Sequence, residues 1–178
     1  MVGLVGVGVA IGTYSQVRAE QQKLSIANYD LEYATFIDWK SIPHSPYLLF
    51  TFKHPSADIR LMGGTNQIVS ESNPTPEMDT DGIAKHYLEV TKSNFKGWKA
   101  SELQDAMGPD LRFSMIRRES GARAVINCFA VRGNTTVLVS LTASNEAIPL
   151  IDAFMPQVRE YLASMKLVPT KRADLQVN

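Results

Sequence analysis

The sequence predicts an α+β fold: a central antiparallel sheet with flanking helices, preceded by an N-terminal membrane helix. Three observations predict it. Between Leu111 and Met165, the strand-like runs Leu111 to Arg118, Ala122 to Arg132 and Thr135 to Ala143 are separated by Ser120-Gly121 and Gly133-Asn134. These pairs tolerate the positive φ of tight hairpins. The third run alternates, with Val137, Val139 and Leu141 on one side and Thr136, Ser140 and Thr142 on the other, and leads into an amphipathic helix ending near Met165. Residues 1–12, MVGLVGVGVAIG, carry no charged side chain, unlike the rest of the chain.

A chain of 178 residues can bury one sizeable core and carry an appendage. Its 18 basic and 18 acidic residues balance, so no global field draws it to polyanions. Neither a basic stripe nor an RNA-binding aromatic motif is present, and no nucleic-acid partner is expected. The single cysteine, Cys128, lies in the middle of an apolar run and reads as a small buried hydrophobe rather than a nucleophile.

Taken from the start, residues 1–12 span about 18 Å as a helix, and extension through Val17 gives about 25 Å, against about 30 Å of bilayer hydrocarbon. Tyr14 at the interface and a snorkelling Arg18 narrow the gap. Gly8 and Gly12 stand in a G-x-x-x-G spacing with Gly3 and Gly6 also small, and such glycines let helices approach closely in lipid. Gly3, Gly6, Gly8 and Gly12 are the candidate helix-packing residues, and residues 1–17 the candidate lipid contact. A secretory signal is the competing reading, because Val17-Arg18-Ala19 resembles a cleavage site before Glu20, although the positive n-region is missing. Gly6, Gly8 and Gly12 also spell G-x-G-x-x-x-G, but no βαβ unit follows, which argues against a nucleotide loop. Thr13 to Asn28 is polar and rich in helix formers, suited to a stalk.

The folded domain is expected from Tyr29, giving a membrane segment and stalk at 1–28, a globular domain at 29–168 and a polar tail at 169–178. Leu31 to Trp39, Tyr47 to Lys53 and Ala57 to Met62 read as strands. Gly63-Gly64 should break the last of these, with Asn66 to Ser70 a further strand. After the proline-broken stretch Glu71 to Thr80, a helix over Asp81 to Phe95 buries Ala84, Tyr87, Leu88, Thr91 and Phe95 and exposes Lys85, Glu89 and Lys92. Asp79 or Thr80 is its N-cap and Gly97 its stop. Trp98 to Leu103 reads as a strand and Gln104 to Asp110 as a loop. The last helix, capped by Ser144 or Asn145, should bury Ile151, Phe154, Met155, Val158, Leu162 and Met165, with a kink or two abutting helices at Pro156.

The segments DTDGIAKHYLEVTKSNF, GWKASEL, FSMIRRESGARAVINCFAVRGNTTVLVSLTAS and REYLASMKL follow one another in an order that resembles the PsbP family of photosystem accessory proteins and its DcrB-type exported relatives. The resemblance covers roughly residues 46–168. The family's usual opening strand before Pro46 and its N-terminal segment are not found. The resemblance implies an α/β/α sandwich, usually outside the cytoplasm, that acts by binding more often than by catalysis.

Candidate chemistry is sparse. His44, His54 and His86 show no metal-ligand spacing, and surface or packing roles suit them better. No G-x-S-x-G elbow, P-loop or H-E-x-x-H occurs. Glu77, Asp79, Asp81 and Gly82 match positions 1, 3, 5 and 6 of a calcium loop, but position 12 falls on Leu88 where a bidentate carboxylate is needed. A helix N-terminus with capping acids explains the same residues. Trp39 and Trp98 with Arg117 and Arg118 could anchor an interface, but adjacent strand arginines must point to opposite faces.

No catalytic residue, cofactor or metal is expected. The expected function is a non-catalytic accessory subunit of a larger membrane complex, anchored by its N-terminal helix, with integral membrane subunits as partners and its domain outside the cytoplasm. The alternatives are an exported binding module released after Ala19 and, more remotely, an enzyme with a site assembled from dispersed polar residues.

Overall fold

The computed structural model describes residues 21–26, 29–36, 38–43, 48–67, 80–94, 96–132 and 135–170. Gly3, Gly6, Gly8 and Gly12 lie outside them. Among the described residues no helix is long and apolar enough to cross a membrane, so the expected membrane helix has no counterpart there.

In chain order the strands are β1 (Gln21–Ile26), β2 (Tyr29–Ala34), β3 (Lys40–Ser41), β4 (Phe50–Lys53) and β5 (Ile59–Gln67). Helix α1 (Thr80–Asn94) leads to β6 (Lys99–Met107), β7 (Arg112–Ser120), β8 (Arg123–Arg132) and β9 (Thr135–Ser144). A 3-10 helix (Asn145–Phe154), α2 (Met155–Ser164) and β10 (Lys166–Pro169) follow. A seven-stranded antiparallel sheet runs β3-β4-β5-β9-β8-β7-β6, and a three-stranded one runs β1-β2-β10.

Alternation along the large sheet makes two unequal faces. One carries Phe52, Leu61, Phe113, Ile126 and Val139. The 3-10 helix, α2 and the small sheet cover it through Ile151, Val158, Leu162, Leu31 and Leu167, all in one apolar cluster. Each such fully buried aliphatic side chain contributes roughly 1.5–3 kcal/mol. The other face receives α1, whose Ala84 and Leu88 pack on Ile116 and Phe129. Helices thus flank an antiparallel sheet, as expected, and the hairpins of the β7-β8-β9 meander fall where the turn residues placed them.

Three expectations are corrected. Gln21–Ile26 is a strand, not part of a helical stalk, because it pairs along its full length with β2; tertiary pairing overrides a weak helix propensity, and the folded region starts before Tyr29. Gly63-Gly64 does not interrupt β5, which continues through both residues against β9. The ring of Phe50, directly opposite Gly63, occupies the space where a Cβ would stand, so this glycine serves packing rather than a turn. Strand β6 reaches Met107, with a register shift between Leu103 and Ala106, where a loop was expected from Gln104. The apolar run after the last helix is β10, which pairs with β2.

The predicted interruption at Pro156 is present as a change of helix type. The 3-10 segment contains Pro149 and α2 begins with Pro156 in its first turn. Gly97, at φ 85°, ends the turn after α1. Ser144 precedes the 3-10 helix without a side-chain capping bond; its hydroxyl instead donates to the Asp58 carboxylate.

Two outcomes test this packing. Gly63→Ala should lower stability by about 1–3 kcal/mol through overpacking against Phe50, read as a lower urea midpoint at unchanged slope. Tyr161 lies among Phe36, Phe50 and Phe52, and its hydroxyl is buried without a hydrogen-bond partner among the described residues. Burial first, then the neighbouring Tyr33, pushes its pKa well above the ordinary 10.0. The unfolded chain therefore releases this proton first, and the associated stability is complete below about pH 10 and falls as pH rises beyond it. Tyr161→Phe should be neutral or stabilising by about 1 kcal/mol at neutral pH and should flatten the alkaline loss, measured by denaturant titration from pH 8 to 11.

Candidate binding groove

Helix α1 is fixed on the sheet by polar contacts at its start. The Thr80 hydroxyl, expected as a cap, accepts the Val131 backbone N–H of β8 at 3.1 Å. Asp81, in the first turn, accepts from the Arg112 guanidinium of β7, and the Ser114 hydroxyl donates to the same carboxylate oxygen at 3.1 Å. Arg112 Nε lies 3.1 Å from the Asp105 carboxylate of β6, an ion pair whose N–H is not aligned as a hydrogen bond. Arg112 thereby joins α1, β6 and β7, although exposed pairs of this kind contribute little stability each.

Between α1 and β6–β7 runs a groove of about 520 Å³. Ala84, Leu88 and Ile116 supply its apolar lining, while Lys85, Glu89 and Lys92 from the helix and Glu102 from β6 supply charge of both signs. Amphipathic spacing produces this: Ala84 and Leu88 turn inward, so the residues next to them on the helix surface form a charged rim. Toward the end of α1 the Arg118 guanidinium lies 4.7 Å from the Tyr87 ring centroid and 5.7 Å from that of Trp98. Apolar lining, mixed-charge rim and an arginine held by aromatics suit a polypeptide segment better than a small polar metabolite.

The sequence-level candidates are dispersed. Arg117 and Arg118 do point to opposite faces: Arg117 binds Glu119 at 2.7 Å and Asp152 of the 3-10 helix at 2.5 Å, while Arg118 joins Tyr87 and Trp98. The Asp152 carboxylate, with Glu119 adding to it, raises the Arg117 pKa further and keeps it charged. Trp39 is a core residue, edge-on to Phe36, His54 and Phe154. His54 serves the β4–β5 turn, its Nδ1 accepting the Ser56 and Ala57 N–H groups at 3.2 and 3.0 Å. His86 is exposed on α1. Cys128 is fully buried, and burial pushes its thiol far above the reactive range. His44, Glu77 and Asp79 lie outside the described residues, and Asp81 is engaged by Arg112. Among the described residues no group of three or more His, Cys, Asp or Glu side chains is placed to hold a metal ion. The Arg112 junction was missed because its carboxylate on α1 lies 31 positions away, beyond any local spacing rule.

No protein-family profile and no curated protein sequence matches the chain. Solved structures resemble it in fold. Cyanobacterial PsbP from Synechocystis is 13% identical, with 93% of this chain and 99% of that chain covered and a TM-score of 0.48. LpqN of Mycobacterium tuberculosis, involved in cell envelope biogenesis, is 11% identical over 85% and 92% of the two chains, with a TM-score of 0.56. The Ran-binding protein Mog1p of Saccharomyces cerevisiae is 8% identical over 85% and 97%, with a TM-score of 0.51. The α+β fold expected from the sequence is thus one that the chain shares with LpqN and Mog1p.

Arg118→Lys should remove the planar stacking on Tyr87 and Trp98 while keeping the charge, lowering stability by about 0.5–1 kcal/mol and altering Trp98 emission. Denaturant titration followed by tryptophan fluorescence measures both.

Proposed function

We propose that this chain is a non-catalytic accessory subunit that docks a larger membrane protein complex through the α1–β6 groove. In this reading residues 1–17 anchor it in lipid, Gly3, Gly6, Gly8 and Gly12 pack against integral membrane subunits, and the domain lies outside the cytoplasm. The observation that carries the proposal is the groove, whose apolar lining and mixed-charge rim suit a protein segment. Two neighbours in fold lend general support, since Mog1p is a Ran-binding protein and LpqN is involved in cell envelope biogenesis.

A second reading, an exported binding module released after Ala19, is favoured by the position of β1. That strand begins at Gln21, so a chain starting at Glu20 keeps every described element.

Purification from native membranes in mild detergent should recover the chain with integral membrane subunits, and reversal of the exposed rim charges in Lys85→Glu/Lys92→Glu should release them without unfolding the domain. Recovery of a lone chain, or of a complex indifferent to the rim, removes the first reading. An intact mass beginning at Glu20 selects the second.

A further inference from the structure

The face of the large sheet that receives α1 is only partly covered by it, and its other half has a distinct chemistry. Register places Lys40 opposite Lys53 and Lys53 opposite Arg60, so three cations on neighbouring strands stand in one row. Like charges directly opposite one another are destabilising in a sheet, and none of the three has a carboxylate opposite it in that row. Continuing across the sheet, Arg60 faces Thr142, and in the adjacent row Arg123 faces Ser144.

These rows meet in a pocket of about 300 Å³ lined by Arg60, Arg123, Thr142, Ser144, Asp58 and Met62. Arg60 and Arg123 approach it from strands on either side of β9, about 10 Å apart across the sheet. Among the described residues Arg123 is exposed and has no carboxylate within ion-pair distance, while Arg60 has only a loose contact with Asp58 at 3.7 Å. The Asp58 carboxylate also accepts from the Ser144 hydroxyl. Among the described residues, Lys40, Lys53, Arg60 and Arg123 thus outnumber Asp58 at this end of one sheet face, in a chain with no net charge.

We propose that this pocket binds a phosphoryl group. Two guanidiniums approaching from opposite sides, with hydroxyls between them, suit three acceptor oxygens disposed tetrahedrally better than the two of a planar carboxylate. Lys53 and Lys40 continue the positive row outward, where a second anionic group of the same ligand would lie. Asp58 is the competing internal anion, and its presence sets a modest affinity. The site lies apart from the α1 groove and does not depend on the function assigned to that groove.

Titration of the full chain with inorganic phosphate, followed by NMR of the arginine side chains, should shift the Arg60 and Arg123 signals together in a saturable way. Arg123→Gln and Arg60→Gln should each weaken binding at least tenfold while leaving the melting temperature within about 2 °C. Asp58→Asn should tighten binding several-fold, which a purely structural role for Asp58 would not produce. Phosphatidic acid vesicles, whose phosphomonoester keeps three terminal oxygens, with phosphatidylcholine as the comparison, distinguish a lipid headgroup from a soluble phosphate as the source, and saturable binding to either supports the site. Absence of binding in both the phosphate and vesicle arms overturns the proposal. So does binding that survives in the Arg60→Gln/Arg123→Gln double variant.

Discussion

The pairing of β5 with β9 is the contact on which the architecture depends. It runs from Ile59 opposite Ala143 to Gln67 opposite Thr135, and among the described residues it alone joins the β3-β4-β5 segment to the β6–β9 meander within the large sheet. Forming it requires closing a chain segment that contains α1 and three strands, so its entropy cost precedes the packing that offsets it. The offset lies on the core face, where Leu61 stands opposite Leu141 and Gly63 opposite Val139. Gly63 admits the Phe50 ring at this seam, and that ring stacks on Phe52 at 5.3 Å and meets Tyr161 of α2 edge-on at 6.0 Å. One absent side chain thus lets the large sheet and α2 meet.

What was legible in the sequence follows from this arrangement. The meander was readable because hairpin partners are neighbours in sequence, and alternating residues such as Val137, Val139 and Leu141 report their face directly. The break at Pro156 was readable because a missing N–H is a local fact. Gly63 was misread because a glycine that opens a turn and one that admits a ring look identical until the facing residue is known. Strands β1 and β10 were missed for a related reason: both depend on β2, and Leu167 lies opposite Leu31 from the far end of the chain. Short segments with weak local preference take their structure from such partners.

The candidate sites were less legible than the fold. Arg117 and Arg118 were correctly divided between the two faces, because strand alternation decides that without further information. Their partners could not be read, since Asp152 and Tyr87 come from separate helices on opposite sides of the sheet. Histidine and cysteine, the residues most often associated with chemistry, were instead absorbed by structure, His54 into a turn and Cys128 into the core.

The two faces of the sheet explain why charge matters in a chain whose total charge is zero. The face under α2 and the small sheet is filled by apolar side chains and excludes unpaired charge. Charge is therefore sorted onto the other face, where α1 covers the β6–β8 side and, among the described residues, no helix packs on the β3–β5 side. On the covered side Arg112 lies between Asp81 and Asp105, so cation and carboxylate satisfy one another. On the uncovered side Lys40, Lys53 and Arg60 stand in succession with Arg123 nearby, and Asp58 reaches only part of that group. Repulsion within such a row is tolerable because the side chains extend into water, where unit charges 5 Å apart interact by less than about 1 kcal/mol. A bound anion would turn that repulsion into attraction, so the same row that adds nothing to folding stability is suited to recognition.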